Sequence, residues 1–293
     1  MLIIDRAWVW SGVMKSLVAF VVSFLQRSRW VAFVLLVCLV VSVPGMALGE
    51  DQLPITPAQL EVGEAIAQKA MTATEKGNFA LAEQYWTTLI EEFPQNPAVW
   101  SNRGNSRVSQ RKLTEAIADF NQAIELAPDQ PDPYLNRGAA LEAQGHFTEA
   151  IADYNRVLTL DPQDAYAYNN RGNAEGGLGE WSKALKDFQK ASEILPGFAF
   201  ARANTALALY EMGQKPQAVK IMRDLVRKYP LFPDMRAALT AALWAEGNQG
   251  EAESHWVAAV GMDSRYQDVQ WVTQIRRWPP QMIAALERFL TLQ

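Results

Sequence analysis

Two kinds of hydrophobic pattern divide the chain. Up to residue 49 the apolar residues come in unbroken runs, Leu17 to Leu25 and Trp30 to Val43. Beyond that point apolar and small residues recur at fixed offsets among polar ones. Prolines stand at 94, 128, 162, 196 and 230, each 34 residues after the last. Counting from residues 63, 97, 131, 165, 199 and 233, the eighth position is small or slight: Ala70, Gly104, Gly138, Gly172, Ala206 and Thr240. The twentieth is always alanine, from Ala82 to Ala252, and the twenty-fourth always large and apolar: Trp86, Phe120, Tyr154, Phe188, Met222 and Trp256. A fixed period of this length predicts a stack of helical hairpins. Small residues let the two helices of a hairpin approach, and the large one fills the space between neighbours. Glycine at the fifteenth position (Gly77, Gly145, Gly179, Gly213, Gly247) ends the first helix where a left-handed backbone is needed. Arg111 departs from that rule. Proline closes the repeat because it cannot continue the second helix.

The segment from Asn136-Arg137-Gly138-Ala139 through Ala150-Ile151-Ala152-Asp153-Tyr154 to Leu160-Asp161-Pro162 resembles a tetratricopeptide repeat (TPR). The resemblance covers residues 63–266 as six units: 63–96, 97–130, 131–164, 165–198, 199–232 and 233–266. It implies an all-α fold, a right-handed TPR superhelix (α-solenoid). Residues 50–62 are then a linker and helix start, and 267–293 form C-terminal capping helices. In each hairpin, residues whose positions sum to about thirty should lie opposite one another. Arg103, Arg137 and Arg171 at position seven are therefore expected to pair with Asp119, Asp153 and Asp187 at position twenty-three. Partly exposed pairs of this kind contribute about 0–1 kcal/mol each.

The N-terminal pattern adds a destination. Arg27 and Arg29 precede the run from Trp30 to Val43, which Pro44 and Gly45 close. This is the arrangement of a secretory signal, with small residues for cleavage at Gly45-Met46-Ala47 and Ala47-Leu48-Gly49. Residues 30–48 are also near the length of a membrane-spanning helix, so 1–49 read as a signal peptide or a membrane anchor. Either places the repeats outside the cytoplasm, in a periplasm or thylakoid lumen. Cys38, the only cysteine, lies inside the apolar run without the small preceding residue that a lipidation site needs. Cleavage would leave a chain without disulfide, thiol nucleophile or sulfur ligand.

In such a superhelix the first helices line the concave face, with positions two, five, nine, twelve and thirteen inward and six at the edge. Asn102, Asn136, Asn170 and Asn204 recur at position six, and Asn105 and Asn173 at nine. Asparagine both donates and accepts, so such a ladder suits the backbone of an extended peptide. The same residues could instead bond to the next repeat. Further along, Tyr166, Phe200, Tyr210 and Trp244 fall at positions two and twelve. They are candidate binding anchors, unless they pack on one another or on the C-terminal helices. Gly176 and Gly177 would shorten their helix or clear side chains from the groove, bringing a partner's backbone close. TPR proteins that hold a chaperone's terminal carboxylate use Lys, Asn and Arg. Here the matching positions carry Ser101, Asn105, Asn136, Tyr166 and Asn170, so a carboxylate would lack its cations.

After Tyr266 one more helix is expected, near 266–275, followed by Arg276-Arg277-Trp278-Pro279-Pro280 and an amphipathic helix near 281–292. The final helix reads as a cap, with Met282, Leu286, Phe289 and Leu290 on one face. Arg276, Arg277 and Trp278 form a second candidate site, a basic-aromatic patch. That run, together with the export signal, resembles the endings of TPR proteins of the thylakoid lumen and cyanobacterial envelope. The resemblance implies a role in assembling or maintaining a membrane complex.

Net charge is −5, and the first 49 residues carry four bases against one acid, so the repeats are more acidic still. Phosphate backbones need the opposite sign, so no nucleic-acid partner is expected. The two histidines, His146 and His255, lie in different repeats without ligand spacing. No phosphate loop, metal cluster or nucleophile motif appears, so no cofactor, metal or catalysis is expected. The expected function is a non-catalytic scaffold for a peptide or partner protein. The alternatives are a self-associating array and an accessory subunit that positions an enzyme at the membrane.

Overall fold

The computed structural model describes residues 56–292, and residues 57–292 lie in one compact unit. The proposed signal or anchor at 1–49 lies outside the described residues. Among the described residues every regular element is helical. Twelve helices pair into six hairpins: α1 (Pro57–Glu75) with α2 (Phe79–Glu92), α3 (Pro97–Ser109) with α4 (Leu113–Leu126), α5 (Pro131–Ala143) with α6 (Phe147–Leu160), α7 (Ala165–Gly177) with α8 (Trp181–Ile194), α9 (Ala199–Glu211) with α10 (Lys215–Lys228), and α11 (Pro233–Ala245) with α12 (Gln249–Met262). Each second helix also packs on the first helix of the next hairpin, giving an α-solenoid. The first helices of the second to sixth hairpins start at 97, 131, 165, 199 and 233, and α1 starts at 57.

Local chemistry explains the boundaries. Asn96 and Asp164 accept backbone N–H bonds at the starts of α3 and α7, and proline occupies the first turn of α3, α5 and α11. Gly77, Gly145, Gly179, Gly213 and Gly247 turn each hairpin with φ between 72° and 83°. Arg111 takes the same left-handed conformation at φ 65°, despite its Cβ. At position eight the glycines make room for rings. A Cβ at Gly104, Gly138 or Gly172 would sit 2.7, 2.6 and 2.7 Å from a ring carbon of Phe120, Tyr154 or Phe188. Those three rings are buried.

The three expected Arg–Asp pairs form, each through two hydrogen bonds: Arg103–Asp119 at 3.0 and 2.7 Å, Arg137–Asp153 at 2.8 and 2.6 Å, Arg171–Asp187 at 2.6 and 2.9 Å. They are more deeply set than expected, since all three aspartates are buried. The remaining guanidinium nitrogen reaches back to position twenty-five of the preceding repeat, at Asn121 and Asn155 (2.7 Å each) and at Thr87 (3.4 Å). Each arginine therefore ties its own hairpin and the one before it, while lying over the ring of Trp100, Tyr134 or Tyr168. In the fifth repeat these positions carry Thr205 and Ile221. There the missing guanidinium leaves an open cleft of about 580 Å³, lined also by Gln189, Glu193 and Arg202.

The C-terminal segment departs from expectation. Instead of one helix over 266–275 there is a 3-10 turn (Ser264–Gln267), a short turn α13 (Val269–Trp271) and a π turn (Val272–Arg276). Asp268 caps α13 by accepting from the Trp271 N–H, and Tyr266 is held by Asp234, so the backbone cannot run on as one helix. Arg277 then reverses the chain with φ 51°, leading to α14 (Pro280–Thr291). This last helix packs against α11 and α9, the first helices of the sixth and fifth repeats. Met282, Leu286 and Phe289 are fully buried in the same core as Leu207, Tyr210, Leu239 and Leu243.

Candidate concave-face site

The candidate inner face divides in two. In its C-terminal part the aromatic residues are already engaged. Tyr210 is 2% exposed and shares a core with α14. Trp244 packs edge-on against Phe289, with centroids 5.1 Å apart, and Phe289 meets Trp256 in the same way at 5.0 Å. Phe200 meets Phe232 at 5.4 Å, and Tyr166 meets Phe198 at 4.9 Å. Tyr210 and Trp244 are therefore covered by the chain's own last helix, and are not open anchors. Gly176 and Gly177 also have an internal explanation. Their helix is as long as its counterparts, and a Cβ on either would strike the ring of Trp181 (2.9 Å) or Phe147 (2.6 Å). The glycines admit those rings rather than a partner's backbone.

The asparagines also separate into two groups. Asn204 donates to Asn169 and Asn173, at 3.0 Å each, and Asn169 donates to Asn170 at 3.3 Å. Asn170, Asn173 and Asn204 thus knit the fourth repeat to the fifth. Asn102, Asn105 and Asn136 are half-buried on α3 and α5, and their side chains make no hydrogen bond among the described residues. Of the expected ladder, those three remain available to a partner.

Arg276, Arg277 and Trp278 do not form one exposed patch. Asp234, at position two of the sixth repeat and 5% exposed, accepts on one oxygen from Arg276 Nε (2.8 Å), Trp278 Nε1 (3.1 Å) and Tyr266 Oη (2.8 Å). Burial alone would lower the Arg276 pKa, but the charge of Asp234 more than offsets it and holds the guanidinium above its usual range. Trp278 is 4% exposed. Only Arg277 keeps an outward side chain, and it bonds Glu142 of the third repeat, 135 residues away, at 2.9 Å. Glu142 also accepts from Tyr154 Oη at 3.1 Å, and burial pushes its carboxyl up to about 6 against the pull of Arg277. Glu211 completes the seat of α14 by accepting from the Gln281 backbone N–H at 2.7 Å, a negative charge at a helix N-terminus.

Sequence reasoning missed Asp234, Glu142 and Glu211. Their one visible signal was a carboxylate at positions two, twelve and thirteen, with no cation in the repeat register to pair with it. Among the described residues no cluster of His, Cys, Asp and Glu has the makings of a metal site, and no helix is long and apolar enough to cross a membrane.

Models of tetratricopeptide repeats match residues 104–145, 143–175, 165–198 and 204–231. No curated protein is significantly similar in sequence. Solved structures supply likeness of fold. A tetratricopeptide-repeat protein from Parabacteroides merdae is 19% identical, with a TM-score of 0.58 over 80% of this chain and 100% of that one. MamA from Desulfovibrio magneticus is 16% identical, with a TM-score of 0.54 over 59% of this chain and 96% of that one. A chain of the Cut9–Hcn1 hetero-tetramer of APC/C is 15% identical, with a TM-score of 0.64 over 78% of this chain and 43% of that one. With the 34-residue register, the paired helices and these repeat matches together, the chain carries tetratricopeptide repeats within residues 104–231, in an α-solenoid.

Proposed function

We propose that the chain is a non-catalytic interaction scaffold that holds a peptide or partner protein on the concave face of repeats two to four. Tetratricopeptide-repeat proteins are in general protein-interaction scaffolds. The observation that carries the reading is Asn105, which faces inward, with Asn102 and Asn136 at the edge: three amides on the second and third repeats whose side chains make no hydrogen bond among the described residues. A rigid array presenting unsatisfied donors and acceptors at repeat spacing is suited to an extended backbone. Export, and a role in assembling or maintaining a membrane complex, are the finer part of the proposal. Their support is the N-terminal pattern of Arg27, Arg29 and the apolar run after them. The likeness to thylakoid-lumen and cyanobacterial proteins rests on that pattern and on the Arg-Arg-Trp-Pro-Pro run, of which Arg276 and Trp278 serve the chain's own packing.

The test places a photo-crosslinking side chain at Asn105 or Asn136 in the full chain, and as a control at Glu125 on the exposed face of α4. A discrete adduct from the two inner sites and none from Glu125 is the expected result. Adducts equally strong at Glu125 would remove the concave-face reading.

A further inference from the structure

The tail shows what chemistry the inner face accepts. Across repeats two to four, the inward and edge positions hold asparagines, small residues, the acids Asp132 and Glu142, and Val108, Leu135 and Tyr166, and not one lysine or arginine. Among the described residues the one guanidinium on an inward carboxylate of these repeats is that of Arg277, lent by the tail to Glu142. Two further carboxylates border the same helices, Asp132 at position two of α5 and Asp164 at the start of α7. Neither has an ion-pair partner among the described residues, and burial together with the charge of Asp164 pushes Asp132 up to about 6. Positions two and twelve of α5 lie about 15 Å apart along the helix, so Asp132 and Glu142 stand at opposite ends of one inward stripe.

We propose that this stripe takes an extended, arginine- or lysine-bearing segment of a partner protein, whose cation replaces Arg277 on Glu142. The inference rests on the scaffold reading and adds the partner's charge and its point of contact. Arg277 suits such an exchange better than any other part of the tail. Its side chain is 40% exposed and makes its one ion pair among the described residues with Glu142, so releasing it uncovers little. Arg276, Trp278 and α14 stay seated on Asp234, Glu211 and the core. Glu142 by contrast is 13% exposed and set between a tyrosine and a guanidinium, so a cation beside it, from whichever chain, favours its charged form. Arg277 is then a resident stand-in for the partner's charge, and the partner competes with it.

The experiment is a fluorescence-anisotropy titration of the full chain, at fixed ionic strength, with a labelled twelve-residue peptide of alternating glycine and arginine. A second peptide carries glutamine for arginine. Removing a competing group raises apparent affinity in proportion to the freed fraction, so Arg277→Gln should tighten the arginine peptide by about 5-fold. Glu142→Gln should cancel that gain, and the glutamine peptide should show neither effect. Arg227→Gln changes net charge equally at an exposed site on α10 and should leave binding where it was. Equal shifts from Arg277→Gln and Arg227→Gln would overturn the proposal, as would unchanged binding in Glu142→Gln. If adducts at Asn105 and Asn136 persist beside such a failure, the scaffold stands and only the cation is lost. If they vanish too, the scaffold reading falls with it.

Discussion

Single residues set how firmly the hairpins are held. Asp153 accepts two hydrogen bonds from Arg137, which also ties Asn121 of the previous repeat. Asp153→Ala should therefore cost about 2 kcal/mol, because it strands a half-buried guanidinium, and should lower the melting temperature seen by circular dichroism. Arg111 works in the opposite direction. It pays for a left-handed backbone that glycine adopts freely in five other repeats, so Arg111→Gly should raise stability by about 1 kcal/mol in a urea titration. Glu175 carries a pH dependence. It lies 8% exposed where the third, fifth and sixth repeats place Leu141, Leu209 and Leu243, and one of its oxygens has no partner. Burial, aided by Asp187 and opposed by Arg171 and Lys183, pushes its carboxyl from 4.5 to about 7. The folded state thus binds this proton more tightly than the unfolded one. Its contribution is full below about pH 4.5 and is lost as pH rises through about 7. Glu175→Leu should remove that slope, so the variant's advantage in melting temperature should be larger at pH 8 than at pH 5.

At the scale of elements, what was legible in the sequence is what the repeat enforces. The hairpins, their glycine turns and the Arg–Asp pairs follow from position within 34 residues, because the same local geometry recurs and any two offsets fix a contact. The tail has no such template. Arg276 and Trp278 find Asp234 more than forty residues back, and Arg277 finds Glu142 on the third repeat. Those contacts depend on how the array curves, which the offsets do not state. The same gap explains the aromatic positions. For Tyr210 and Trp244 the offsets left open anchors and packing on the C-terminal helices as alternatives, because the helix that covers them belongs to no repeat. α14 is accordingly a structural element, and Phe289→Ala should cost about 3–5 kcal/mol. It should also shift tryptophan emission to the red, since Trp244 and Trp256 both rest on that ring.

Over the whole molecule the described residues form an array whose stability is built from neighbour to neighbour, with one exception. The tail reaches back over the fifth and sixth repeats and touches the third. It fills the aromatic end of the inner face and leaves Asn102, Asn105 and Asn136 of the second and third repeats uncovered. The central claim is that a partner is held there. The most direct measurement compares photo-crosslinking from Asn136 and from Trp244, each placed singly in the full chain and exposed to the same membrane preparation. The account predicts a discrete adduct from Asn136 and none from Trp244, where α14 already sits. An adduct from Trp244 alone would contradict it.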